Sequence, residues 1–335
     1  MARTLRVSKA VKIMLMLLIL GFALGAFAAC AKEPEGTATT TEGLFVVPDG
    51  ITALGASKLL ANIKAGEKVG NVVYTTEIAA TTDVLSARIL AKEPLAAIVP
   101  SNLAATAYTK GLGYKIAAVG SFGSFYIVSK EDIGNLADLE GRTIYSHGKG
   151  LTPGIVLEEL LAGAGLTPGT DVTIEYIGAA SEVVSTFVSG KAEIALVAEP
   201  ALSNILAKVP GVKINFDLNK VWQEQNNSQY GYPQSVLIVR DDLSDADAQA
   251  LVGAYAASQA AVGTDFAVIK TQAADQGVTG IDALTEDGLT RSNLSGAALN
   301  DDLIQAFKDF YEILALKAPN TIGGSAPNEG IFRQF

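Results

Sequence analysis

From Gly43 onward, short apolar runs alternate with stretches of helical periodicity, and this alternation limits the folds open to the chain more than any other feature. The runs at 44–47, 71–74, 95–99 and 114–119 read as buried strands, because a strand covered on both faces is apolar continuously and not at every second residue. Helix candidates at 52–64, 79–91 and 101–110 lie between them, each opening after a turn or capping residue. Such alternation builds an α/β layer with a mainly parallel sheet. It restarts after Lys130, with strands at 143–145, 172–176, 193–197 and 213–216 and helices at 153–164, 181–189 and 201–207. Two units of this kind predict two lobes. One more strand, 235–239, precedes helix-like sequence at 246–262, 265–274 and 299–316, which has no strands left for a third sheet and is expected to return to the first lobe. The expected division is lobe 1 at 43–126 plus 235–335 and lobe 2 at 127–234. The two crossings, near 124–130 and 230–236, would act as a hinge.

The first residues have a different character. Arg3, Arg6, Lys9 and Lys12 precede seventeen uncharged, mostly apolar residues from Ile13 to Ala29, with Cys30 following Ala28-Ala29. A basic head, an apolar middle and small residues before a break make a secretory signal. Cys30 is the only cysteine, and the segment resembles a bacterial lipoprotein signal. That resemblance implies removal of residues 1–29, a diacylglycerol thioether on Cys30 and a flexible linker over 30–42. Phe27 stands where such signals usually carry leucine. A short transmembrane anchor is the alternative. Both leave an extracytoplasmic protein tethered to the cell membrane.

Removal of the four basic residues takes the formal charge from −10 to −14, which repels nucleic acid and anionic lipid in bulk. With 49% hydrophobic residues the chain can bury a substantial core. A single cysteine excludes an intrachain disulfide, and a single histidine, His147, leaves no set of nitrogen and sulfur ligands for zinc. No metal or cofactor is expected.

Ligands of open α/β sheets bind where strands end and helices begin, because free backbone N–H groups point into the crevice. Four segments have that arrangement. Asp49, Gly50 and Thr52 follow the first strand, with Thr52 able to cap. Ser101 and Asn102 follow the third, Ser101 being the expected cap. Ser146, His147, Gly148, Lys149 and Thr152 follow the first strand of lobe 2, and Glu199 follows a later one. Thr152-Pro153 marks a helix start, since proline at the first helical position loses nothing by lacking an N–H. Lys149 and the glycines ahead of it could gather donors on an anion or carbonyl, or form a plain strand-to-helix turn. The turn lacks the glycine spacing and the Ser/Thr of a nucleotide P-loop. Ser146 and His147, neighbours leaving a strand, point to opposite faces and make a poor nucleophile–base pair. Glu199 could bind a ligand amine or cap its own turn. Phe122, Phe125, Tyr126, Tyr145, Tyr230 and Tyr232 could stack on a ligand or fill core, and Trp222 is expected to pack under the crossover.

From Gly43 to about Val239, the chain resembles the solute-binding proteins of ABC importers for nitrate, sulfonates such as taurine, and thiamine precursors. The resemblance rests on Pro48-Asp49-Gly50, on Leu139-Glu140-Gly141-Arg142-Thr143-Ile144, on Ser146-His147-Gly148-Lys149-Gly150, and on Ser189-Gly190-Lys191-Ala192-Glu193-Ile194-Ala195 before Glu199-Pro200. It implies a type II periplasmic-binding-protein fold, a monomer whose two lobes close on one small polar solute, anionic, zwitterionic or heteroaromatic, and delivery to a membrane permease and ATPase. Carried over by position, Asp49, Gly50, Ser101, Asn102, Ser146, Gly148, Lys149, Thr152 and Glu199 would face the cleft. Fungal thiamine-precursor synthases of this fold rely on a cysteine-rich segment that this chain lacks. A sensor subunit that presents ligand to a receptor, or an extracytoplasmic enzyme of small carboxylates using Asp49 or His147, stand as alternatives.

Overall fold

The computed structural model describes residues 41–335. The expected signal, the lipidation site Cys30 and the linker up to residue 40 lie outside the described residues. Thr41 and Glu42, expected in the linker, already belong to the first strand, where they pair with Val72 and Val73.

Three parallel neighbours, β1 (Thr41–Pro48), β2 (Val72–Ala79) and β3 (Ala96–Pro100), are joined through α1 (Ile51–Lys64) and α2 (Thr82–Leu90). Residues 45–47 of β1 show why its run is unbroken. Phe45 and Val47 pack among α1 and the later helices on one face, while Val46 packs with Leu85 and Ile89 of α2 on the other. After β3 come α3 (Ser101–Thr109) and β4 (Tyr114–Phe122).

The second sheet repeats the plan with β5 (Phe125–Ser129), β6 (Thr143–His147), α4 (Thr152–Gly163), β7 (Thr173–Ile177), α5 (Ala180–Val188), β8 (Ile194–Ala198), α6 (Ala201–Lys208), β9 (Lys213–Asp217) and α7 (Leu218–Gln225). The chain then returns through β10 (Pro233–Arg240) and ends in α8 (Asp245–Thr264), α9 (Phe266–Asp275), α10 (Glu286–Arg291) and α11 (Asp301–Lys317). The sheet orders are β2-β1-β3-β10-β4 and β7-β6-β8-β5-β9. Each keeps the parallel trio that strand–helix alternation predicts and adds one strand antiparallel to both of its neighbours, β10 in the first sheet and β5 in the second. Both of these strands enter directly from a crossing, so they run against the trio they join.

The outgoing crossing is shorter than the sequence suggests: residues 125–129, expected within it, form β5, leaving Gly123 and Ser124 between sheets. Two short helices, α7 and α10, were not anticipated. Asp217 caps α7 by accepting from the N–H groups of Asn219 and Lys220 at 3.0 and 3.3 Å.

The two crossings pack on each other through glycine. A Cβ on Gly123 would lie 2.0 Å from the Tyr232 ring, and one on Gly231 would lie 1.6 Å from Asn219 Oδ1. Gly123 N–H donates to Asn219 at 3.1 Å, and Ser124 N–H donates to Gln234 at 2.9 Å. Tyr232 is fully buried between Phe125, Trp222 and Phe310, with ring centroids 6.1, 5.6 and 6.2 Å away. Phe310 comes from α11, whose buried residues Leu303, Phe307, Phe310 and Leu314 recur at helical spacing. Truncating an aromatic in such a cluster costs about 3–5 kcal/mol. Among the described residues no helix is long and apolar enough to cross a membrane.

Candidate functional site

Between the sheets lies a cleft of about 330 Å³ whose walls come from both. Thr52, Thr82 and Asn102, at the starts of α1, α2 and α3, meet Thr152 and Pro153 at the start of α4. Ser121 of β4 and Ser235 of β10 form the floor, their hydroxyls bonded to each other at 2.7 Å. Pro48, Pro100, Phe125 and Leu151 supply apolar wall, and His147, Gly148 and Gln234 complete it. Leu151 is half exposed at the rim. The first N–H groups of a helix have no intrahelical acceptor and carry the positive end of its dipole. Four such ends around one cleft make a site for negative charge. Glycine shapes the approach: Gly50 precedes α1 at φ +88°, and Gly148 and Gly150 take φ +72° and +69° ahead of α4.

Of the residues singled out in the sequence, Asn102, His147, Gly148 and Thr152 line this cleft, and Gly50 sits at the cap of α1. His147 is half-buried, its Nδ1 enclosed with no hydrogen-bond partner, and burial pushes its pKa below the usual histidine value.

The other expected site residues are engaged elsewhere. Ser101 does not cap α3. Its buried hydroxyl donates to the Pro233 carbonyl at 2.7 Å, tying the helix start to the returning strand. Neither Thr52 nor Thr152 caps by side chain: the caps of α1 and α4 are Gly50 and Leu151. Ser146 is buried and its hydroxyl donates to the His147 carbonyl at 3.2 Å. Asp49 accepts from Gly50 N–H at 2.7 Å, from Thr279 N–H at 2.9 Å and from the Thr279 hydroxyl, and lines a separate depression of about 540 Å³ with Lys64 and Gln276. The Lys149 ammonium lies over the Tyr176 ring, 5.9 Å from its centroid, and Lys149 is not among the cleft residues.

Glu199 is buried and spoken for. Its carboxylate accepts from Arg291 Nε at 2.7 Å and from the N–H and hydroxyl of Ser203 at 3.1 and 2.8 Å. Glu199 follows β8 of the second sheet, and Arg291 ends α10, whose Leu289 packs in the core of the first. The Tyr126 hydroxyl also donates to the Arg291 carbonyl at 2.7 Å. The pair is therefore an ion-pair tie between the two halves and has no free carboxylate for a ligand amine.

Sequence reasoning missed Thr82, Ser121, Gln234 and Ser235. Ser121 and Ser235 left a weak signal, as buried hydroxyls close to the apolar, buried stretches 116–119 and 236–239. Thr82 and Gln234 left none apart from their neighbours.

Among the described residues no group of three or more His, Cys, Asp or Glu could hold a metal ion. A family model described as ABC transporter, phosphonate, periplasmic substrate-binding protein matches residues 91–282. No curated protein matches. Among solved structures, the chain is similar to an ABC transporter protein from Parabacteroides distasonis, with TM-score 0.76, 22% identity and coverage of 88% of this chain and 99% of that one. It is also similar to the periplasmic aliphatic sulphonate binding protein SsuA from Escherichia coli, with TM-score 0.69, 12% identity and coverage of 85% and 96%. A third is DszB in complex with biphenyl-2-sulfinic acid, with TM-score 0.60, 14% identity and coverage of 88% and 97%. Likeness at such identities speaks to a shared fold.

Proposed function

The chain belongs to the periplasmic substrate-binding proteins of ABC transporters, phosphonate type, and from that premise we propose that it is a tethered extracytoplasmic carrier of a small organic oxoanion of the sulfonate or phosphonate class. The observation that carries this reading is the convergence of four helix starts, three from the first sheet and one from the second, on a single cleft. The oxoanion head accepts from backbone N–H groups and from the Thr52, Thr82 and Thr152 hydroxyls, each charge-assisted bond worth about 1.5–3 kcal/mol. The organic tail lies against Phe125, Leu151 and the prolines. At about 330 Å³ the cleft sits at the lower end of the range for small-molecule sites, roughly 300–1,000 Å³, with room for an oxoanion head and a short organic tail.

Because α4 belongs to the second sheet and α1 to α3 to the first, only a closed arrangement brings all donors to one anion, so ligand selects closure. The crossings at Gly123 and Gly231 are the hinge between a lobe of residues 41–122 plus 233–335 and a lobe of residues 125–225, bounds that the strands β5 and β10 move slightly from those expected. Closure is the signal read by permease and ATPase subunits. Lipid on Cys30 holds the monomer at the membrane. The carrier performs no chemical step: the Ser146 hydroxyl faces a carbonyl, not the His147 ring, and Asp49 is held by Thr279.

Calorimetric titration of the purified protein with short alkanesulfonates and alkylphosphonates tests this. One-to-one saturable binding is expected, and Asn102→Asp, which sets a negative charge among the helix starts, should weaken it by about 100-fold. Absence of binding by both classes, or an Asn102→Asp protein that binds as the parent does, would contradict the reading.

A further inference from the structure

None of the described residues lining the cleft is an aspartate, glutamate, lysine or arginine. Of the charged groups next in sequence to lining residues, Lys149 lies over Tyr176 and Asp49 is bonded to Thr279, while Asp83 follows Thr82 in the first turn of α2 and brings a negative charge, not a cation; Glu199 is paired with Arg291. His147 is the sole titratable side chain in the wall, and burial keeps it neutral at neutral pH and above. The recognition set is thus made of neutral dipoles alone: hydroxyls, amides and helix-terminal N–H groups.

Neutral dipoles treat one and two negative charges very differently. Their attraction for an anion grows in proportion to its charge, whereas the cost of stripping water from the anion grows with the square of that charge. Passing from a monoanion to a dianion therefore raises the attraction about twofold and the desolvation cost about fourfold, with no fixed cation to make up the difference.

We propose that this cleft sorts organic oxoanions by charge, accepting the monoanionic sulfonate head and turning away the dianionic phosphonate head of the same size. The inference rests on the oxoanion reading above and sharpens it to one headgroup. Sulfonates carry a single charge at every accessible pH, whereas phosphoryl groups take on a second charge through a titration near neutral pH, with a second pKa of about 6 for phosphate esters.

The test is competition binding of butanesulfonate and butylphosphonate, matched in chain length, at about pH 5 and about pH 9, with their affinity ratio as the readout. At the higher pH the phosphonate should bind about 100-fold more weakly than the sulfonate, and at the lower pH, where both are monoanions, within about threefold. Lys149→Ala should leave both ratios unchanged. Asn102→Lys, which adds a fixed cation at the start of α3, should bring the dianion close to parity. Using a ratio cancels any protonation of His147, which acts on both monoanions alike. A dianionic phosphonate that binds as tightly as the sulfonate at about pH 9 overturns charge sorting and leaves the oxoanion reading standing. Failure of both anions at both pH values overturns the oxoanion reading itself, and the sorting with it.

Discussion

Removing the guanidinium of Arg291 should unsettle the protein without touching a residue that lines its cleft. In Arg291→Ala the Glu199 carboxylate, whose side chain is 0% exposed, would keep only the two bonds from Ser203. Breaking a buried pair by deleting one partner costs about 3–5 kcal/mol, because a charge is left without compensation. Arg291 retains 20% exposure, so water reaches the gap and the lower end applies, about 3 kcal/mol. For a body of this size, with an unfolding entropy of roughly 2.1 cal/mol/K per residue, that corresponds to a fall in Tm of about 5 °C. Scanning calorimetry measures it, and the second change Glu199→Gln supplies the control. A neutral amide needs no counter-charge, so Arg291→Ala/Glu199→Gln should recover half or more of the loss. A single variant within about 1 °C of the parent, or a double variant no better than the single, would refute the uncompensated-charge argument.

Other perturbations separate cleft from surroundings. Lys149→Ala should change sulfonate affinity by less than about twofold in calorimetry, since the ammonium sits over Tyr176 and such an exposed cation–π contact is worth about 0.5–1 kcal/mol. Gly154→Ala should damage binding, because its Cβ would stand 2.8 Å from the Gly148 carbonyl oxygen and 2.9 Å from the Tyr176 hydroxyl, forcing the turn ahead of α4 to move; unchanged affinity would show that this turn is not part of the site. His147 gives a pH signature with a definite sign. Burial lowers its pKa, so the unfolded chain takes up a proton first on acidification, and the stability contributed by the neutral ring is lost as pH falls below about 6.5. An anion beside it favours the charged ring, so binding at about pH 6 should take up protons and binding at about pH 8 should not. Titration in buffers of different ionisation enthalpy reads this, and His147→Asn should abolish the difference.

Much of the architecture was legible because burial on both faces leaves a continuous mark. The runs at 44–47 and 235–239 announced central strands for the reason seen at Phe45, Val46 and Val47, whose side chains alternate between two covered layers. The return of the tail to the first sheet followed from the lack of strands to receive it. Less legible was anything that depended on pairing across the fold. Phe125–Ser129 looked like connection because nothing local reveals that the crossing needs only two residues. The same limit governs the site. Helix starts after Pro48, Pro100 and Gly150 could be placed, since they depend on local turn chemistry. Whether a given polar side chain faces the cleft could not, because Glu199 finds its partner 92 positions away, Ser101 finds a carbonyl 132 away and Asp49 finds Thr279 at 230.

The account stands on one placement: the anion rests among the starts of α1, α2, α3 and α4. Amide hydrogen exchange resolved by residue, with and without saturating butanesulfonate, measures it directly. Protection should appear at the backbone N–H groups of Thr52, Thr82, Asn102 and Gly154, on both sheets at once. Protection gathered instead around Lys64, Gln276 and Thr279, or confined to one sheet, would contradict it.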